Sequence, residues 1–347
     1  MKRRTALLSA GLAAGAVAAG AVGRAVYRHR HDDGLRWSEA EPPEDLGVVT
    51  SFDGTELAVA AAGDPSAPVL VLAHGFSLDR TIWSKLWPEL AGEFRVVMFD
   101  QRSHGRSARA AHGDLSLRTV GRDLAAVLDA VSPEGPAVVV GHSMGAMAIL
   151  ALAEQRPELF GERIVGAAFV GAASRNLLKS AMGSVTDLFR PRFGSIGPGS
   201  IGQAARRVDR LRRAVLAGPA DVSGAVARLT QFGPDAPSDV VDHVVALAER
   251  APREVWTEGL AELMEMDFGH AVPRIRVPAL VVVGEHDRVT PPAAAVELAG
   301  ALPDGRLVVL EGAGHIAMLE RPEALAAELR AFANTAFGRD PQAEGAA

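Results

Sequence analysis

The sequence predicts an α/β protein: a mostly parallel, doubly wound sheet of about eight strands, with a helical segment inserted ahead of the last two. Three observations carry this. Short apolar, β-branched runs alternate with helix-like stretches along most of the chain. One strand-to-helix junction is compressed into the turn Gly141-His142-Ser143-Met144-Gly145. Between Ala172 and about Val272 the strand runs stop, and they resume at Pro278.

Residues 1–30 stand apart. Met1-Lys2-Arg3-Arg4 is basic, Thr5 to Gly23 is uncharged and dominated by Ala, Gly, Val and Leu, and Arg24, Arg28 and Arg30 close the segment. At ~1.5 Å per residue, residues 5–23 just reach across a hydrocarbon core, although Ala and Gly make the run weakly apolar. Three readings fit: an uncleaved membrane anchor, a cleaved export signal led by Arg3-Arg4, and a disordered alanine-rich tail. The first two imply a membrane-anchored or exported protein of the cell envelope, and positive charge on both flanks leaves its orientation open. His29-Arg30-His31-Asp32-Asp33 has metal-ligand residue types, but no second ligand cluster follows at useful spacing. Residues 31–45, with Pro42-Pro43, read as a polar linker.

The globular part starts near Leu46. Val48 to Phe52 and Thr55 to Ala61 flank a turn-favouring Asp53-Gly54, which predicts a hairpin. Pro68 to Ala73 is a buried strand ending at His74-Gly75-Phe76. Thr81 to Leu90 reads as a helix with Trp83 and Trp87 one turn apart. Arg95 to Phe99 is the next strand and runs into Asp100-Gln101-Arg102-Ser103-His104-Gly105-Arg106-Ser107. Leu117 to Val131 is an amphipathic helix with Ser116 as its N-cap. The strand Val138 to Val140 enters the turn at Gly141, a helix from Ala146 to Gln155 leaves it, and Ile164 to Val170 is a further strand. Helical patterns broken by Gly-Pro pairs fill 172–272. Then come a strand to Gly284, a helix from about Pro292 to Leu302, a strand from Arg306 to Leu310, a helix from Pro322 to Phe337, and a loose tail, 338–347. The core is therefore 46–171 and 273–337.

Composition narrows the function. Over 347 residues, 48% are hydrophobic and 22% charged, which describes a folded chain able to bury a large core. A formal charge of −6 gives no reason to expect nucleic acid as a partner. With no cysteine, disulfides, thiolate zinc sites and a cysteine nucleophile are excluded.

In a parallel sheet, ligands bind beyond the carboxyl ends of the strands. Five chemistry-bearing features sit there: His74-Gly75, Asp100, Ser143, Asp287 and His315. A Gly-x-Ser-x-Gly between a buried strand and a helix holds its serine in a strained turn at a helix N-terminus, where backbone N–H groups stabilise negative charge. A serine hydroxyl needs a base, and that base needs a carboxylate to orient it. Asp287 after one strand and His315 after the next supply both, in the order Ser, Asp, His. His74 and His142 fall at the wrong place in that order and read as packing beside the turn; Asp100 and His104 read as loop-shaping.

Taken together, His74-Gly75-Phe76, the Asp100–Ser107 stretch, Gly141–Gly145, Gly284-Glu285-His286-Asp287 and Gly312-Ala313-Gly314-His315 resemble α/β-hydrolase-fold serine hydrolases. The likeness is to small bacterial esterases, lipases and cofactor-free haloperoxidase-like enzymes, and it covers about residues 46–337. It implies ester hydrolysis through an acyl-enzyme on Ser143, with no metal or cofactor and with the backbone N–H groups of Phe76 and Met144 as the oxyanion hole. The implied substrate is a small apolar or lipid-like ester. Perhydrolysis, carbon–carbon cleavage, and thioester or lactone hydrolysis stay open with the same residues, as does a non-catalytic binding protein on this fold. Haloalkane dehalogenases and epoxide hydrolases carry aspartate where Ser143 stands. Ser103 departs from the glycine usual in such relatives.

By the same resemblance the insert is a lid. Phe76, Trp256, Met264 and Phe268 are the candidates to line the substrate pocket, with Phe189, Phe193, Phe232, Leu263 and Met266 as further apolar residues of the insert. Five arginines between Arg206 and Arg213 share a helical stretch with Val208, Leu211 and Val215, whose spacing puts these three on one face. A solvated helix is one expectation, and a face resting on an anionic membrane, tethered by residues 5–23, is the other. The sequence leaves the oligomeric state open.

Overall fold

The computed structural model of the protein describes residues 44–175, 201–216 and 220–339. Eight strands form one sheet: β1 (Glu44–Thr50), β2 (Glu56–Ala62), β3 (Val69–Ala73), β4 (Arg95–Phe99), β5 (Ala137–His142), β6 (Ile164–Val170), β7 (Ala279–Gly284) and β8 (Gly305–Leu310). Their spatial order is β1-β2-β4-β3-β5-β6-β7-β8. β1 and β2 are antiparallel to their neighbours, and every pairing from β4 to β8 is parallel.

Helices cover both faces. They are α1 (Leu117–Val131), α2 (Met144–Gln155), α3 (Ile201–Leu216), α4 (Ala220–Gln231), α5 (Ser238–Arg250), α6 (Leu260–Glu265), α7 (Pro292–Ala301) and α8 (Pro322–Ala336). Alternate strand residues feed two cores, as a period of two requires. Val71, Val97, Phe99 and Val139 join α1, α2 and α7 on one face. Leu70, Leu72, Met98, Val138 and Val140 join α8, Trp83 and the α5 residues Val240 and Val244 on the other. The apolar runs are continuous because both sides of each central strand are buried.

Two local expectations change. The stretch from Thr81 to Leu90 is not one helix: a 3₁₀ turn, Arg80–Trp83, is followed by a short helix, Trp87–Leu90. Pro88 is the reason, since it has no N–H to offer and its ring clashes with the carbonyl of Ser84. The first turn is instead closed by Asp79, whose side chain accepts from Thr81 N at 2.9 Å. The sheet also begins at Glu44, inside the stretch that composition reads as linker. Glu44 and Asp45 pair with Ala61 and Ala60, and the ladder then slips at Gly47. Ser116 caps α1 as its position predicts, accepting from Thr119 N at 3.3 Å.

The insert leaves and re-enters the core at one neck. Phe268 N donates to Ser174 O at 2.8 Å, and Arg175 bridges to Asp267. Within it, α3 turns Ala205 and Asp209 inward and leaves Val208 and Leu211 exposed, at 41% and 62%. Asp209 is held by Arg213 at 2.9 Å and Arg212 at 3.1 Å, so the acidic residue, not the apolar stripe, faces the protein. Among the described residues no helix is long and apolar enough to cross a membrane. The predicted anchor at 5–23, most of the linker, and Phe189 and Phe193 lie outside the described residues.

Candidate active site

The strand order reverses around β3, which has β4 on one side and β5 on the other. The loops after β3 and β5 are therefore neighbours at the carboxyl edge, where such sheets open a crevice. Ser143 is the only residue between the end of β5 and the start of α2, and its φ is +51°. A non-glycine residue there is strained, so the surrounding structure must hold it. Glycines make that possible. A Cβ on Gly145 would lie 2.1 Å from Ala73 O, and one on Gly141 would lie 2.4 Å from Ala146 N. The chain thus packs β3 directly against the first turn of α2. N–H groups of that turn, Met144 included, have no acceptor within the helix.

Asp287 and His315 meet beside this turn. His315 Nδ1 lies 2.8 Å from Asp287 Oδ2, with both side chains buried. The carboxylate is fully bonded. Oδ1 accepts from Val289 N at 2.9 Å and Thr290 N at 2.8 Å, and Oδ2 also accepts from Thr290 Oγ1 at 2.8 Å. This fixes the carboxylate as an acceptor facing Nδ1, which places the proton of a neutral His315 on Nδ1 and leaves Nε2 free to accept. Gly171, at the end of β6, leaves room for the pair: a Cβ there would sit 3.1 Å from His315 Nδ1. Ser143 is tied to the same strand, with its N–H donating to Val170 O at 3.0 Å.

His142 packs against this assembly, as its place in the chain predicts. Its ring centroid is 4.7 Å from that of His315, and its Nε2 lies 3.0 Å from His315 O. Burial, then the neighbouring His315, drive its pKa well below the usual histidine value, so the ring is neutral. Nε2–H therefore donates to the His315 carbonyl.

Phe76 lies on the loop after β3, and that loop is held by His74 and His104. His74 Nε2 accepts from Gln101 N at 2.9 Å, and Gln101 Nε2 donates back to His74 O. His104 Nε2 accepts from Ser77 N at 3.2 Å while its Nδ1 donates to Arg102 O at 2.9 Å. Ser77 carries φ +57°, so His104 holds a strained residue next to Phe76. Burial pushes His74 down to about 3 and His104 down to about 4, and both act as neutral acceptors. Asp100 closes the loop from below, accepting from Arg80 N at 2.7 Å and Arg106 N at 2.9 Å; burial, then Asp79, push it up to about 6. A Cβ on Gly105 would sit 2.3 Å from its Cγ. Ser103, at φ +62°, accepts from Ala110 N at 2.9 Å, which is how a serine serves at this turn. Arg102 is fully buried, donating to Asp123 at 2.6 and 2.7 Å and to Asp53 at 2.9 Å.

The pocket candidates separate. Phe76 and Trp256 meet edge to face with centroids 5.0 Å apart, and Arg212 covers the Trp256 ring at 4.7 Å. Trp256 sits in a short π-helical turn, Val255–Gly259. Phe76 and Met144 share a cavity with Leu115, Val120, Val255 and Gly259 that has room for about one water molecule. Phe268 lies elsewhere, in the core among α1 and α2 residues beneath Arg118. Met264 is partly buried on α6. Two residues of the site were not singled out in the sequence: Thr290 and Glu320. Thr290 had a signal, since an aspartate in a loop readily accepts from backbone N–H and hydroxyl groups two and three residues on. Glu320 had none nearby in the chain.

A family model described as the alpha/beta hydrolase family matches residues 70–328. The probable oxidoreductase EphD of Mycobacterium tuberculosis is 28% identical over 311 residues, covering 85% of this chain and 50% of that protein. The chain thus spans about half the length of that relative. Epoxide hydrolase A of the same organism is 30% identical over 317 residues, covering 81% of this chain and 94% of that one. A thermophilic esterase from Thermogutta terrifontis superposes with a TM-score of 0.67 at 25% identity, covering 84% of this chain and 99% of that structure.

Proposed function

Since the chain belongs to the alpha/beta hydrolase family, we propose that it is a serine hydrolase of carboxylic esters working through Ser143, His315 and Asp287. The observation that carries this is the Asp287–His315 contact at 2.8 Å beside a serine held at φ +51°. His315 Nε2 takes the Ser143 proton as Oγ attacks the ester carbonyl. The negative charge that develops on the carbonyl oxygen meets the N–H groups of Phe76 and Met144, each contributing on the order of 3 kcal/mol to the transition state. The imidazolium, stabilised by Asp287, gives its proton to the leaving alcohol. Water then attacks the acyl carbon as His315 takes its proton, and the imidazolium returns that proton to Ser143 Oγ as the acid leaves.

The esterase likeness supports this reading, and so does the serine at the turn, where the resemblance puts aspartate in epoxide hydrolases. Thioester or lactone hydrolysis, perhydrolysis and carbon–carbon cleavage would use the same residues, with Phe76 and Trp256 walling the acyl group. The sequence of residues 1–30 supports a location at the cell envelope. Ser143→Ala tests the central step. It should abolish p-nitrophenyl ester hydrolysis with the thermal transition preserved, and retained turnover would sink the assignment.

A further inference from the structure

Glu320 joins the insert to the loop that carries His315. It ends the short helix Ala317–Glu320 and is buried, at 6% exposed. Its two oxygens face different segments. Oε1 accepts from Gly314 N at 3.0 Å and from Ile316 N at 3.2 Å, the two residues flanking His315. Oε2 accepts from Gly233 N at 2.7 Å, just past the end of α4 in the insert.

The two backbones are pressed together there. His315 N donates to Gln231 O at 2.6 Å. A Cβ on Gly233 would lie 2.1 Å from Gly312 O, and one on Gly314 would lie 2.5 Å from Gln231 O. No side chain separates the insert from the histidine loop, so a shift of residues 231–233 is passed to His315 directly. His142 holds the other side of His315, through its carbonyl.

We propose that Glu320 is a positioning residue: its bridging carboxylate sets His315 relative to Ser143 and makes the base responsive to the position of the insert. This rests on the reading of His315 as the base. The carboxylate is required because all three partners are donors. Burial raises the pKa of Glu320 and the three N–H groups oppose that rise. A glutamine of the same shape satisfies one side only. Its oxygen stays with the pair Gly314 and Ile316, and its NH₂ is turned against the Gly233 N–H.

The test is Glu320→Gln in the full chain, with Glu320→Asp as the companion that keeps the charge but shortens the reach. Three readouts are followed: kcat and KM for p-nitrophenyl acetate, the downfield Nδ1–H proton resonance of His315, and amide exchange at Gly233. Expected for E320Q are a kcat lower by about 10- to 100-fold with KM changed far less, a displaced or broadened resonance, and faster exchange at Gly233 alone of the three amides. E320D should move all three readouts the same way, and it carries the test if E320Q does not fold. A folded variant with kcat within about twofold of the parent and an unmoved resonance would overturn the proposal. Resonance and exchange are read without substrate. They therefore judge the coupling even if Ser143→Ala shows that Ser143 is not the nucleophile.

Discussion

Replacing Asp287 by asparagine should reverse the hydrogen-bond polarity of the base without disturbing its surroundings. Asp287 Oδ1 accepts from two backbone donors, Val289 N and Thr290 N, at 2.9 and 2.8 Å. These cannot rotate away, so the amide oxygen of the introduced asparagine must take that place. The amide NH₂ then occupies the Oδ2 position, 2.8 Å from His315 Nδ1. Thr290 Oγ1, also 2.8 Å from that position, adapts by turning its hydroxyl into an acceptor. His315 cannot adapt in this way. Facing a donor, Nδ1 must accept, and the ring proton moves to Nε2, the nitrogen that should receive the proton of Ser143. The expected loss in kcat is about 10⁴-fold, equivalent to about 5.4 kcal/mol in the barrier. Stability should change little, because the backbone bonds persist. The assay is steady-state hydrolysis of a p-nitrophenyl ester by D287N, with a thermal melt as control. A folded D287N within about tenfold of the parent would refute the reasoning, since the wrong tautomer could not act as base.

Three further outcomes are expected, two from the structure and one from the sequence of residues 1–30. Asp123→Ala would leave the fully buried Arg102 without its bidentate partner and should cost about 3–5 kcal/mol, read as a lower urea midpoint; a cost under about 1 kcal/mol would contradict the bridge as drawn. His74, His104, His142 and His243 are buried and neutral, with pKa values pushed below the ordinary 6.5, by burial first in each case. The unfolded chain therefore binds more protons below 6.5, so stability present above that pH is lost as pH falls towards about 4. The buried acids work in the opposite direction: Asp100, held up at about 6, and Asp123, Glu262 and Glu320, each raised by burial, take up protons sooner in the folded chain. The four histidines act from 6.5 downward, so the loss begins at the upper limit. A urea midpoint that stays flat between those pH limits would exclude this. Finally, deleting residues 1–30 should release the protein from the membrane or envelope fraction to the soluble fraction, and an unchanged distribution would refute the anchor and the export signal alike.

Most of the sheet was legible because its central strands are buried on both faces. Val69 to Ala73 and Val138 to Val140 stand out as continuous apolar runs. β1 was harder, since all its side chains but Val49 are exposed, so Glu44 and Asp45 read as linker. Pro88 was visible, and the one-turn spacing of Trp83 and Trp87 just ahead of it misled the reading of Thr81 to Leu90. Ser143, Asp287 and His315 were legible because each follows a strand. The structure supplies the hydrogen bonding that spacing cannot express, notably the double backbone hold on Asp287. Glu320 was silent because its partner Gly233 is 87 residues away. The insert was legible as a helical stretch between β6 and β7, but not in its detailed packing. On α3 the spacing put Val208 and Leu211 on one face and left open what that face meets; it is exposed, and Asp209, holding Arg212 and Arg213, faces the protein instead.

Everything proposed for the site turns on Ser143 forming the covalent acyl intermediate. A fluorophosphonate reagent followed by peptide mass spectrometry tests this most directly, because only a serine activated by its base reacts quickly. One adduct per chain, on the peptide carrying Ser143 and suppressed in D287N, is the predicted result. Continued ester turnover with Ser143 unmodified would contradict it.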